Sequence, residues 1–227
     1  MLKRKTYLYT IVFFLFSLIG KQANASHVMG GSITYECMGN GNYVFELVFY
    51  RDCNGAQVNT NSQNIRVWNH QTLTNISLPY VSTEDISPEG TASNGVTCYD
   101  CTTPNGNIGI GSIEKITYRS APINISGIPP AQGWVFTFDD FSRNGNITNL
   151  QNPLNYGVTL TAKIFNVGAS NNLCHDSSPK FLQTPHFVSC IGKPFKLNLN
   201  PVDPDLDSVY ISFDQPLTNL NNNPYVE

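Results

Sequence analysis

SITYECMGNGNYVFELVFYR, residues 32–51, is the stretch on which the fold turns. Ile33 and Tyr35 alternate with polar neighbours in Ser32–Cys37, and Tyr43, Phe45, Leu47 and Phe49 alternate through Tyr43–Arg51. A period of two puts each set on one face of a strand. Between the runs, GNGN at Gly39–Asn42 supplies residues that tolerate positive φ. Two alternating runs around such a turn predict a β-hairpin. Working outward, Ile65–Trp68, Ile76–Val81, Ile116–Tyr118, Trp134–Phe138 and Val158–Phe165 read as further strands. In the last of these, Val158, Leu160, Ala162 and Ile164 alternate with Thr159, Thr161 and Lys163, the pattern of a half-buried strand. No segment sustains a 3.6-residue period with caps, and 14 Pro and 17 Gly punctuate the chain. The expected fold is all-β, a β-sandwich of immunoglobulin-like type.

The composition supports a folded core. Of 227 residues, 41% are hydrophobic and 11% aromatic, too many for a disordered chain. Charged residues are only 13%, against ~25% in an ordinary soluble domain. Thirteen Lys and Arg beside 27 Asn leave no basic stripe to replace phosphate counterions, which argues against a nucleic-acid partner.

The N-terminus reads as an export signal. Lys3, Arg4 and Lys5 precede the apolar run of residues 7–19, and Ala23-Asn24-Ala25 offers small residues at −3 and −1 of a cleavage site after Ala25. Thirteen residues rise only ~20 Å as a helix, short of the ~30 Å hydrocarbon core. The expectation is therefore a removed Sec-type leader over 1–25, an exported mature chain and no membrane span in it. Cleavage removes Lys3, Arg4, Lys5 and Lys21, so the formal charge moves from −3 to about −7, which favours solubility.

Three further segments follow. Residues 26–172 form the β-rich module, and 173–186, polar and Pro-containing, form a linker. In 187–227, Phe187–Val188, Phe195–Leu199 and Val209–Phe213 look like opening strands of a second sandwich. That unit is far shorter than the ~100 residues of an immunoglobulin domain. Either the chain continues beyond Glu227 in a longer protein, or these strands complete the first module.

Cys37, Cys53, Cys98, Cys101, Cys174 and Cys190 are an even set in an exported chain, which makes disulfides the default. A Cys37–Cys53 bond conflicts with a regular hairpin, because ten strand residues span ~33 Å and a disulfide needs ~5.5 Å between Cα atoms. Cys174–Cys190 brackets the linker and is the best single pair, leaving Cys37 and Cys53 to share Cys98 and Cys101. The C-x-x-C spacing of Cys98 and Cys101 also fits a metal or redox site. Its Gly, Asn and Pro surroundings lack the helix N-terminus that lowers a thiol pKa, and no second close pair completes a zinc set.

Asp203, Asp205 and Asp207 alternate in DPDLDS. Clustered carboxylates in a loop suit Ca²⁺, which takes six to eight oxygens; equally, they suit an Asp-rich turn capping backbone amides. No other cofactor is suggested. Asp139 and Asp140 are further carboxylates that a calcium site could recruit. The four His, at 27, 70, 175 and 186, match no zinc-hydrolase spacing, and neither a G-x-S-x-G elbow nor a phosphate loop is present. No catalytic residue is identified.

Longer motifs carry a resemblance. SHVMGGSITYECMGNGNYVFELVFYRDCNG at Ser26–Gly55, SIEKITYRS at Ser112–Ser120, QGWVFTFDDFSRNGNITNL at Gln132–Leu150 and SSPKFLQTPHFVSCIGKPFKLNLNPVDPDLDSVYISF at Ser177–Phe213 occur in that order. The set resembles the N-terminal region of large secreted cell-surface proteins of Bacteroidetes, gliding-motility-associated or adhesin-like cargo of type IX secretion. Two departures stand out: Phe141-Ser142 replaces an adjacent Cys pair, and Leu206 replaces the usual Gly of the acidic loop. The resemblance implies a β-rich module on or released from the outer cell surface, with a binding or scaffolding role and no catalytic residue. Its partner would be an unidentified surface ligand, protein or polysaccharide. The alternatives are a structural spacer, or a secreted carbohydrate-active or carbohydrate-binding protein.

Overall fold

The computed structural model describes residues 28–53, 58, 60–87, 112–141, 143–145, 147–166, 174, 176–184, 194 and 196–218. The expected leader with its expected cleavage after Ala25, the cysteines Cys98, Cys101 and Cys190, and the expected strand Phe187–Val188 lie outside them. Among the described residues the chain is all-β, with no α-helix and a single 3₁₀ turn at Pro153–Asn155.

The hairpin forms as the alternation predicts. β1 (Val28–Cys37) pairs antiparallel with β2 (Asn42–Asp52), with Tyr35 opposite Phe45 and Cys37 opposite Tyr43. Asn40 takes φ 53 and Gly41 φ 71, the left-handed values that let the turn close so tightly. β3 (Ser62–Trp68), β4 (Asn75–Asp85), β5 (Ile113–Arg119), β6 (Ile123–Asn124), β7 (Trp134–Phe141) and β8 (Gly157–Ile164) follow. Hydrogen bonding links them in the order β1-β2-β5-β4-β3-β7-β8, and β6 pairs separately with the start of β2.

β4 turns the path into a sandwich. Asn75–Pro79 pairs with β3, whereas Tyr80–Asp85 pairs with β5 across a register shift between Tyr80 and Ser82. A bulge bends a strand and increases its twist, and Pro79 beside it lacks the N–H that would continue a ladder. One strand therefore belongs to both layers. The core lies between them. The predicted face of β2 is buried completely: Tyr43, Phe45, Leu47 and Phe49 are 0% exposed. Phe45 meets Phe136 of β7 with ring centroids 4.6 Å apart, and Phe49 stacks on Phe138 at 5.8 Å. Arg51 continues the same face and is buried at the core's end, where Glu114, its register partner on β5, accepts from Nε at 3.1 Å and Nη2 at 2.5 Å.

Every pairing along the path is antiparallel. An odd number of strands then leaves β1 and β8 pointing the same way, and they approach without forming a ladder. The Tyr35 hydroxyl donates to the Lys163 carbonyl of β8 at 2.9 Å. Gly31 packs so closely here that a Cβ would stand 2.4 Å from the Val48 carbonyl oxygen and 2.9 Å from Leu160 Cδ1. The sandwich is thus nearly closed into a barrel, with one seam.

After Ile164 the pattern changes. β9 (Lys180–Phe181) and β10 (Pro201–Val202) make a small separate pair. Residues 196–199 and Val209–Phe213, expected as strands, form none, and Tyr210, Ile211 and Phe213 face solvent. Their apolar pattern matches a strand, but among the described residues no partner edge is presented to them. Cys174 is the one hydrophobic side chain after Ile164 that joins the described core.

Gly31→Ala tests the seam. The added methyl meets Leu160 across the seam and also the Val48 and Phe49 backbone of β2, which cannot give way as a flexible side chain would. The variant is expected to lose about 1–3 kcal/mol, read as a lower midpoint in chemical denaturation with an unchanged m-value.

Candidate functional site

The cysteines correct the expected pairing. Cys174 bonds to Cys37, with Cα atoms 5.8 Å apart and 137 residues between them. It is therefore not the partner of Cys190, and Cys37 does not share Cys98 or Cys101. The physical reason is the seam: Cys37 ends β1, and the chain returning from β8 passes along that exposed edge before it reaches Cys190. Cys53, just beyond the far end of β2, is also disulfide-bonded.

From Cys174 the chain runs antiparallel to β1 as a strap, residues 174–184. An edge strand leaves N–H and C=O groups unpaired, a hazard that proteins cover. Here serines cover it. Ser178 Oγ accepts from the Tyr35 N–H at 2.8 Å, and the Ser178 N–H donates back to the Tyr35 carbonyl at 2.9 Å. Ser177 Oγ accepts from the Cys37 N–H at 3.2 Å. Lys180 reaches Glu36 at 3.3 Å. Further along, Leu217 covers the edge of β8, its carbonyl accepting from the Thr159 N–H at 3.3 Å and from Arg143 at 3.2 Å. The strap buries little apolar surface. Each of its hydrogen bonds contributes net about 1 kcal/mol, comparable with the ordering cost of a single residue. The disulfide, closing so long a loop, contributes about 5 kcal/mol on the chain-entropy account.

The Asp cluster sits against the strap and works as a turn. Asp203 Oδ1 accepts from the Asp205 N–H at 2.8 Å and the Asp207 N–H at 3.2 Å. Asp205 Oδ2 accepts from the Ser177 N–H at 2.6 Å. Among the described residues no group of three or more His, Cys, Asp or Glu is placed to hold a metal ion. Asp203 Oδ1 and Asp205 Oδ2 thus serve backbone amides, as the turn reading of the cluster expects. Asp139, elsewhere on β7, is engaged by Arg66 and by the Thr159 hydroxyl. Leu206 takes φ 66, the left-handed conformation that suits glycine, and its side chain gains nothing in return because it is exposed.

Asp176 is the strap's inward contact. Its Oδ2 accepts from the Tyr35 hydroxyl at 3.1 Å. Burial holds the Tyr35 hydroxyl above the ordinary tyrosine range, reinforced by that carboxylate. Burial also raises the Asp176 pKa; Asp203, Asp205 and Asp207 add to this, and the Tyr35 bond opposes it. Of the four histidines, only His70 is described. Its Nδ1 accepts from the N–H groups of Thr72 and Leu73, and its ring lies 4.9 Å from Trp134, a turn-capping and packing role.

Two concavities flank the strap. A groove of about 400 Å³ separates Ser32, Thr34 and Tyr50 on the outer sheet face from Phe181 and Leu199. A cleft of about 380 Å³ follows the seam past Leu160, Ala162 and Pro179. Around the groove, Lys115 pairs with Glu84, and Arg119 with Glu46 and Glu36. Sequence reasoning missed the roles of Ser177, Ser178 and Asp176; SS beside a cysteine is too common a string to mark an edge cover.

No family model, curated protein or solved structure matches this chain. Among the described residues no helix is long and apolar enough to cross a membrane.

Two substitutions check the junction. The folded-state pKa of Asp176 is raised, so the native state holds its proton above the ordinary value of 3.8. Its contribution to stability falls as pH rises through that window, and at neutral pH the charge is a cost. Asp176→Asn keeps the acceptor for Tyr35 and is expected to raise the denaturation midpoint at pH 7, with the gain vanishing near pH 3. Leu206→Gly is expected to stabilise by up to about 1 kcal/mol by relieving the left-handed strain, measured in the same denaturation experiment.

Proposed function

We propose that the chain is a non-enzymatic extracellular module, adhesin-like or scaffolding, exported by its N-terminal leader and displayed on or released from the outer cell surface. The observation that carries this reading is covalent. Cys37, Cys53 and Cys174 are all disulfide-bonded, and such bonds persist in oxidising compartments and are rare in the cytosol. The leader pattern of Lys3–Ala25 supports it. So does the resemblance of the motifs at Ser26–Gly55 and Ser177–Phe213 to secreted Bacteroidetes surface proteins associated with gliding or adhesion. The ion pairs across β1, β2, β4 and β5 contribute little energy singly, ~0–1 kcal/mol, but they keep the outer sheet face wetted. The groove beside Tyr50 and Phe181 is the concavity in which a surface ligand, protein or polysaccharide, is to be sought first.

Protease treatment of intact cells tests the reading. The chain is expected to be cleaved without lysis, and alkylation without reduction is expected to leave Cys37, Cys53 and Cys174 unlabelled. A chain protected until lysis, with these thiols reactive, would sink the proposal.

A further inference from the structure

We propose that the Cys37–Cys174 disulfide is a redox latch, whose reduction releases the strap from the β1 edge while the eight-stranded sheet stays folded. Three observations carry it. The core is complete without the strap: every described buried hydrophobic side chain lies between Val28 and Ile164, Cys174 alone excepted. Of the described large side chains that follow, Phe181, Leu182, Leu197, Tyr210 and Phe213 are exposed, so among the described residues little apolar burial holds this segment in place. Cys174 itself sits at φ 41, a left-handed conformation that costs a residue with a Cβ, and the crosslink keeps it there. What remains between strap and β1 when the bond is cut is a short row of serine hydrogen bonds to Tyr35 and Cys37, the Tyr35–Asp176 contact and the half-exposed Lys180–Glu36 ion pair.

The chemistry is thiol–disulfide exchange with a dithiol reductant. One reductant thiolate attacks Sγ of Cys37, the less buried of the two residues. The Cys37–Cys174 bond breaks, and Cys174 leaves as a thiolate and takes a proton. The second reductant thiol then displaces Cys37 from the mixed disulfide. Two electrons pass to the protein, and the reductant departs as its own disulfide. Release uncovers the Tyr35 and Cys37 amides and opens the seam cleft along Leu160 and Ala162.

Hydrogen exchange on the full mature chain tests the latch, using a Cys37→Ser, Cys174→Ser double variant beside oxidised wild type. Amides at positions 35, 37 and 178 are expected to lose protection at least tenfold, while those of Phe45, Leu47 and Phe136 keep theirs. Dithiothreitol added to wild type is expected to give the same local pattern, reversed on reoxidation. Unchanged protection at 35, 37 and 178 would show that the serine contacts suffice and would overturn the proposal. Equal loss across strap and core would overturn it too, because the bond would then belong to the global fold.

Discussion

Seven antiparallel strands in one path must leave their first and last members parallel, and much of this molecule answers that constraint. β1 and β8 meet without a ladder, so their outer edges and the side chains between them need another cover. The close approach at Gly31, the Tyr35 hydroxyl on the Lys163 carbonyl and the serines of the strap are three responses to one topological fact. Each uses a side chain or a missing side chain where a closed barrel would use backbone pairing.

The rest of the sandwich rests on β2. Its buried face runs from Tyr43 to Phe49 without a polar interruption and reaches both layers through Phe136 and Phe138. Arg51 extends the line as a buried charge and is paired with Glu114. Removing one partner of such a pair is far more damaging than the pair is stabilising. The pair therefore sets which strand can lie beside β2 at that end more than it adds to stability.

Covalent and polar devices are concentrated where burial is poorest. The strap contributes Cys174 to the core, and in the acidic turn Asp203 and Asp205 each direct a carboxylate oxygen to backbone amides, including that of Ser177. Asp176 pays for its place under Tyr35 with a raised pKa. The same region borders the groove and the seam cleft, so the least cohesive part of the chain adjoins the surfaces that are best shaped for recognition.

By itself the sequence determined the local features. The alternation in Ser32–Arg51 set the hairpin and its core face, because a strand's period of two assigns every side chain to a side once one is known. The same reasoning reached β3, β4, β5, β7 and β8, since apolar positions recur within a few residues. It overreached at Val209–Phe213, where the pattern is strand-like but a strand exists only against a partner edge. Tertiary structure alone decided the disulfide, the seam and the strap. Cys37 and Cys174 are 137 residues apart, and whether they meet depends on which strands end the path, which no local pattern encodes. The use of Asp203 and Asp205 as amide caps was settled in the same way, by where the strap's Ser177 came to lie.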